Sequence, residues 1–332
     1  MSDSENIPPG QRDLERSPLE GSDPSAAPGD MSAPISADEA VAIDAVRAHD
    51  ANAYPPSWFP SQPPPSPERI AEQLRLSKIP PDLRVPWGWT DLGVFLLFYL
   101  GSTIVLLIVA MVGASAILQV PFPSLQKHPV LLIEVTILAQ AAGSVAALFY
   151  FWILARVRRA GNFWSALGWH SLDASGTDSL TVIKYLLSGV ALAITVTVMG
   201  QFVKQSGPVP FEEFFKARQS VLMLMAFGIL VAPLVEETIF RGFLYPVAAR
   251  QFGVVPGILF TGILFGGFHA MQLWGAWGQI ALLVVVGIVL TAVRARTGSV
   301  LAGFLMHVAY NSTLFAGLLI GSHGLRDFPL GK

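Results

Sequence analysis

The stretch LGVFLLFYLGSTIVLLIVAMVGASAILQV, residues 92–120, contains no charged side chain. A helix crossing a bilayer needs about 20 mostly apolar residues, so this run spans a membrane with residues to spare. Six further apolar segments follow. The seven candidate spans cover about 90–120, 130–155, 181–203, 221–249, 254–272, 277–293 and 298–321. The expected fold is all-α: a polytopic membrane helical bundle of about seven transmembrane helices. An eighth span or a re-entrant piece is the alternative. The sixth segment is short, and tryptophans at segment boundaries (Trp87, Trp89, Trp152, Trp274, Trp277) suit interfacial anchoring.

Composition agrees. Apolar residues make up 52% of the 332 and charged residues only 13%, against about a quarter charged in a soluble protein. The mean hydropathy is +0.54. Charge is also unevenly spread. Residues 1–87 hold 14 of the 23 acids, 7 of the 21 bases and 16 of the 25 prolines. The net charge of −2 therefore divides into about −7 in this head and +5 in residues 88–332. Such an acidic, Pro-rich head is expected to be disordered, because it cannot bury enough apolar area to offset chain entropy. It has no signal-peptide pattern. Within it, residues 36–50 read as a short helix with Ser36 and Glu39 spaced as a capping box. YPPSWFPSQPPPSP (54–67) reads as polyproline II, and PERIAEQLRLSK (67–78) as a juxtamembrane helical segment. The absence of cysteine excludes disulfides, thiolate metal sites and a cysteine nucleophile. No basic stripe marks a nucleic-acid partner.

Lys and Arg in the loops set orientation. Arg69, Arg75, Lys78 and Arg84 precede the first span, Arg156, Arg158 and Arg159 follow the second, and Arg294 and Arg296 follow the sixth. This places the amino terminus in the cytoplasm. Lys204, Lys216 and Arg218 fall on the opposite side. There PVPFEEFFKARQS (208–220) reads as an amphipathic interfacial helix with Glu212 and Lys216 spaced i,i+4.

The informative residues are those that violate the hydropathy: Glu236, Glu237, Arg241, His269, His307 and Asn311. An intramembrane ionisable group is costly and by default marks a site facing the bundle interior. In LVEETIFRGFLYP (234–246), Glu237 and Arg241 are i,i+4 and can neutralise each other. Glu236 lies about 100° round the helix, without such a partner, free to face other helices. In GILFGGFHAM (262–271), Phe265 and His269 share a face, and Gly262 and Gly266 make a GxxxG step that permits close helix approach. In FLMHVAYNS (304–312), His307 and Asn311 aim at one point. Either histidine alone reads as a packing residue, and the acids and arginine alone as an ion-pair network joining helices; the constellation is the signal. A carboxylate with a histidine can position and deprotonate water. A second histidine with an asparagine can hold the oxyanion of a tetrahedral intermediate. That set describes amide hydrolysis by activated water. The chain lacks HExxH and GxSxG, so neither an ordinary zincin nor a serine nucleophile elbow is indicated.

Glu236-Glu237-Thr-Ile-Phe-Arg241, Phe265-Gly-Gly-Phe-His269 and His307-Val-Ala-Tyr-Asn311 resemble the EExxxR, FxxxH and HxxxN motifs of the CPBP family. These are the CAAX-protease and bacteriocin-processing (Abi) intramembrane proteases. The resemblance covers about residues 160–321, and FWSALGWHSLD (163–173) looks like the family's entry to its core. It implies that Glu236 is the general base, His269 its partner on water, and His307 and Asn311 the oxyanion donors. Glu237, Arg241 and Phe265 are supporting residues. A metal-free route is favoured. If Zn²⁺ is used, Glu236, His269 and His307 are its implied ligands, leaving Asn311 on the oxyanion and only Glu237 as a separate base. The implied substrate is a membrane-associated protein or peptide, lipidated or not, and the implied location is a bacterial cytoplasmic membrane. Rival readings are a non-proteolytic membrane scaffold or bacteriocin-immunity protein, and a proton-coupled transporter. The last is weakened because the ionisable residues cluster in the later spans without internal repeat symmetry.

Overall fold

A computed structural model describes residues 79–172, 178–203 and 209–328. The expected 36–50 helix, the Pro-rich run 54–67 and the juxtamembrane segment 67–78 lie outside the described residues. Every regular element among the described residues is helical. Seven apolar helices carry the body: α1 (Trp89–Leu118), α2 (Pro129–Val157), α3 (Ser179–Gly200), α4 (Arg218–Phe252), α5 (Val254–Phe268), α6 (Trp277–Thr297) and α7 (Val300–Gly321). All but α5 are long and apolar enough to cross a membrane. The protein is an integral membrane protein.

Two boundaries differ from expectation. The sixth segment is not short, since α6 has 21 residues, whereas α5 has 15. At 1.5 Å per residue α5 reaches about 22 Å, less than the roughly 30 Å hydrocarbon core. It stops at Phe268 rather than 272 because His269 breaks the ladder. The His269 N–H bonds to the Gly266 carbonyl, while its side-chain Nδ1 takes the Phe265 carbonyl at 2.9 Å. His269 therefore sits at the helix terminus, not inside a span.

The helices pack as close pairs, α1 with α2, α3 with α7, and α5 with α6, around α4, which touches α2, α5, α6 and α7. The GxxxG step does what its spacing implies. A Cβ at Gly262 or Gly266 would lie 2.7 Å or 2.8 Å from the backbone nitrogens of Ile288 and Val284 on α6. Such an approach requires the α5 side to carry no side chain at these two positions. α1 and α2 join through the Phe95–Phe151 stack at 4.6 Å and the Arg158–Asp91 ion pair. α1 otherwise buries little of itself, as expected of a helix facing lipid.

α4 is continuous but irregular. Its turns widen to the π form at Phe227–Val231 and Thr238–Leu244, and are α-helical elsewhere. Each widened stretch ends within two residues of a proline, Pro233 and Pro246. Proline has no N–H to return to the preceding turn, and membrane helices tolerate it where neighbours satisfy the freed carbonyls. At Pro233 a neighbouring side chain does so: Asn311 Nδ2 donates to the Gly228 carbonyl at 2.6 Å.

Residues 79–87, grouped with the head on composition, pack on the membrane body. Leu83 and Trp87 are buried. Trp87 is thus an interior residue and not an interfacial anchor, its ring against Phe243 and its N–H on a backbone acceptor. Trp89, Trp152, Trp274 and Trp277 are exposed. Arg294 belongs to the last turn of α6, not to a loop, and is buried with Nη1 3.1 Å from Asp82 Oδ2. The segment at 210–215 is a 3₁₀ helix in which Lys216 pairs with Glu213, in place of the expected α-helical spacing.

Candidate active site

The α-helical stretch of α4 between its two widened turns, Ala232–Glu237, carries both glutamates. Glu237 points into the bundle and is fully buried. Its Oε1 accepts from Arg241 Nη1 at 2.8 Å and from His307 Nδ1 at 2.9 Å. Arg241 is equally buried; its Nη2 donates to the Gly287 carbonyl and its Nε to Thr291 Oγ1 on α6. The guanidinium also lies 4.5 Å over the Phe265 ring. A buried charge must be paired and hydrogen-bonded, and this network meets that condition while tying α4 to α5, α6 and α7. Gly303 on α7 leaves space for the carboxylate: a Cβ there would lie 2.6 Å from Glu237 Oε2. That oxygen has no hydrogen-bond partner among the described residues.

Glu236 faces elsewhere. Its Oε1 is 3.9 Å from His269 Nε2 and its Oε2 is 3.8 Å from His307 Nε2. Its side chain keeps 16% of its surface exposed and that of His269 18%, whereas Glu237 keeps none. Both imidazoles are oriented from behind. A backbone carbonyl only accepts, so the Phe265 contact requires a proton on His269 Nδ1. Glu237, already accepting from Arg241, fixes the proton of His307 on its Nδ1 in the same way. Both Nε2 atoms thus turn toward the one glutamate left outside the ion pair. Phe265 sits between the rings, 5.1 Å from His269 and 5.8 Å from His307.

Glu236, His269 and His307 therefore share one partly open site, with Glu237, Arg241 and Phe265 behind it. Asn311 lies one turn beyond His307 on α7, and one of its amide hydrogens is spent on the Gly228 carbonyl. The 163–172 segment packs beside these elements: Trp169 Nε1 donates to Thr238 Oγ1, and the Gly168 carbonyl accepts from Val300 at the start of α7. Sequence reasoning missed Thr291, Gly287 and Gly303, which have no polar signature or only a weak one. It also missed Tyr99, a half-buried residue of α1 whose ring lies 6.1 Å from that of Phe268, the neighbour of His269.

Zinc would need three protein donors about 2 Å from one point, placing them about 3.3 Å apart. The Glu236–histidine separations are wider, and no group of three His, Asp or Glu among the described residues is arranged to hold a metal.

Residues 218–313 match the family described as type II CAAX prenyl endopeptidase Rce1-like. This is consistent with the CPBP resemblance, and the match contains all three motifs. No curated protein and no solved structure matches the chain. The region carrying the site is thus the part of the chain that is similar to this family.

Proposed function

We propose that the protein is an endopeptidase that hydrolyses peptide bonds at or within the membrane with water activated by Glu236 and His269. The observation that carries this reading is the convergence of two imidazole Nε2 atoms on the two oxygens of a single half-open glutamate. A water beside this set can lie within about 2.8 Å of a carboxylate oxygen and an Nε2 atom. Glu236 takes a proton from that water as its oxygen bonds to the scissile carbonyl carbon, and the carbonyl electrons move to oxygen. His307, protonated on both ring nitrogens in this role, donates through Nε2 to that oxyanion while Glu237 supports the imidazolium through Nδ1. The second amide hydrogen of Asn311 is the other donor. Glu236 then passes its proton to the leaving nitrogen and the C–N bond breaks.

The substrate class is a membrane-associated protein or peptide, with or without a lipid. The loop charges support a cytoplasmic amino terminus, and the proposed location is a bacterial cytoplasmic membrane. The test is cleavage of membrane-anchored peptides by purified protein, wild type against Glu236→Ala and His269→Ala. Folded variants that cut as fast as wild type overturn the assignment. A chelator arm separates routes: full activity after verified metal removal leaves the side chains sufficient, and loss reversed by zinc assigns a metal to Glu236, His269 and His307.

A further inference from the structure

The contact between Asn311 and Gly228 has a cause in the sequence of α4. In the widened turn before Glu236, the Ala232 N–H bonds five residues back, to the Phe227 carbonyl. The next bond in that register belongs to position 233 and would reach the Gly228 carbonyl. Pro233 has no N–H, so that bond cannot form from within the helix. Asn311 Nδ2 occupies the carbonyl instead, at 2.6 Å. Phe315, one turn further along α7, covers the same point; a Cβ at Gly228 would lie 3.1 Å from its ring. One residue more or less in a turn rotates the rest of the helix by about 100°. The register of this turn therefore decides which way Ala232–Glu237 presents its two adjacent acids relative to the start of α4.

We propose that Pro233, Gly228 and Asn311 form a positioning lock: Pro233 withholds an N–H, Asn311 takes the carbonyl this frees, and the widened turn so fixed directs Glu236 toward His269 and His307. The same bond pins the Asn311 amide one turn from His307. Pro233 and Gly228 thereby become positioning residues, and Asn311 acts on the site through the backbone of α4 as well as through its remaining N–H. The inference rests on the peptidase reading for its effect on rate, but not for its effect on α4.

The experiment is a double-mutant cycle on the full chain in lipid nanodiscs, with Asn311→Ala, Pro233→Ala and the pair, followed by peptide cleavage and amide hydrogen exchange. Asn311→Ala removes the lock and an oxyanion donor together and is expected to lower kcat by about 10²-fold or more, with KM changed by less than about twofold. It also raises exchange across 227–237. With Pro233→Ala in place, the new N–H at position 233 can serve the Gly228 carbonyl. Adding Asn311→Ala then leaves exchange at 227–237 unchanged, while kcat still falls because an oxyanion donor is lost. Asn311→Leu, which keeps the size but has no donor, should raise exchange as Asn311→Ala does and stands in if the alanine variant fails to fold. Exchange at 227–237 that is indifferent to position 311, or that rises when Asn311→Ala is added to Pro233→Ala, overturns the lock. Should wild type cleave nothing, the peptidase reading fails while exchange still decides the lock.

Discussion

On one face of α4, Glu237 is sealed among Arg241, His307, Thr291 and Gly303, without exposed surface. On the adjoining face Glu236 is part-exposed, and its closest ionic contacts are the two imidazoles at 3.8 and 3.9 Å. The acids are neighbours in the chain with the same chemistry, and their surroundings divide the work. The sealed face spends its charge on joining helices and orienting His307. The open face keeps a carboxylate uncommitted and within reach of water. A pair of adjacent acids in a membrane helix thus need not be two copies of one function.

The sharpest way to break this contrast is to leave a charge stranded on the sealed face. Arg241→Leu isolates buried Glu237, and unfolding in detergent should show a loss of about 3–5 kcal/mol, as for other broken buried pairs. Next comes the open face, where His269→Ala should lower single-turnover cleavage by about 10²-fold or more while shifting the unfolding midpoint little. Gly303→Ala probes the seal more gently. Its methyl group meets Glu237 Oε2, and overpacking of this kind costs about 1–3 kcal/mol in an unfolding titration. The smallest effect belongs to a pair remote from both faces. Arg158 is 44% exposed in its bridge to Asp91, so Arg158→Ala should change stability by less than about 1 kcal/mol and cleavage not measurably.

Much of this arrangement was legible in the sequence. The seven apolar segments, the Glu237–Arg241 spacing and the glycines of α5 depend on local periodicity, and the helices they imply are present. The parts that were not legible depend on distant partners. Hydropathy does not show that α5 ends at Phe268, because the cause is the His269 side chain bonding to the Phe265 carbonyl. Composition assigned residues 79–87 to the head, although Trp87 and Asp82 find their partners at Phe243 and Arg294, far along the chain. The widened turns of α4 are marked only by Pro233 and Pro246, which read equally well as kinks. Gly303 matters through what stands opposite it, which no spacing within α7 reveals.

The division of labour between the two acids is tested most directly by preparing Glu236→Gln and Glu237→Gln side by side and measuring unfolding and peptide cleavage on each. The account predicts that Glu236→Gln unfolds like wild type and loses cleavage by about 10³-fold. Glu237→Gln should lose stability, and its folded fraction should lose cleavage less than Glu236→Gln does, through the weakened support of His307. A stable Glu236→Gln protein that cuts at the wild-type rate would contradict it.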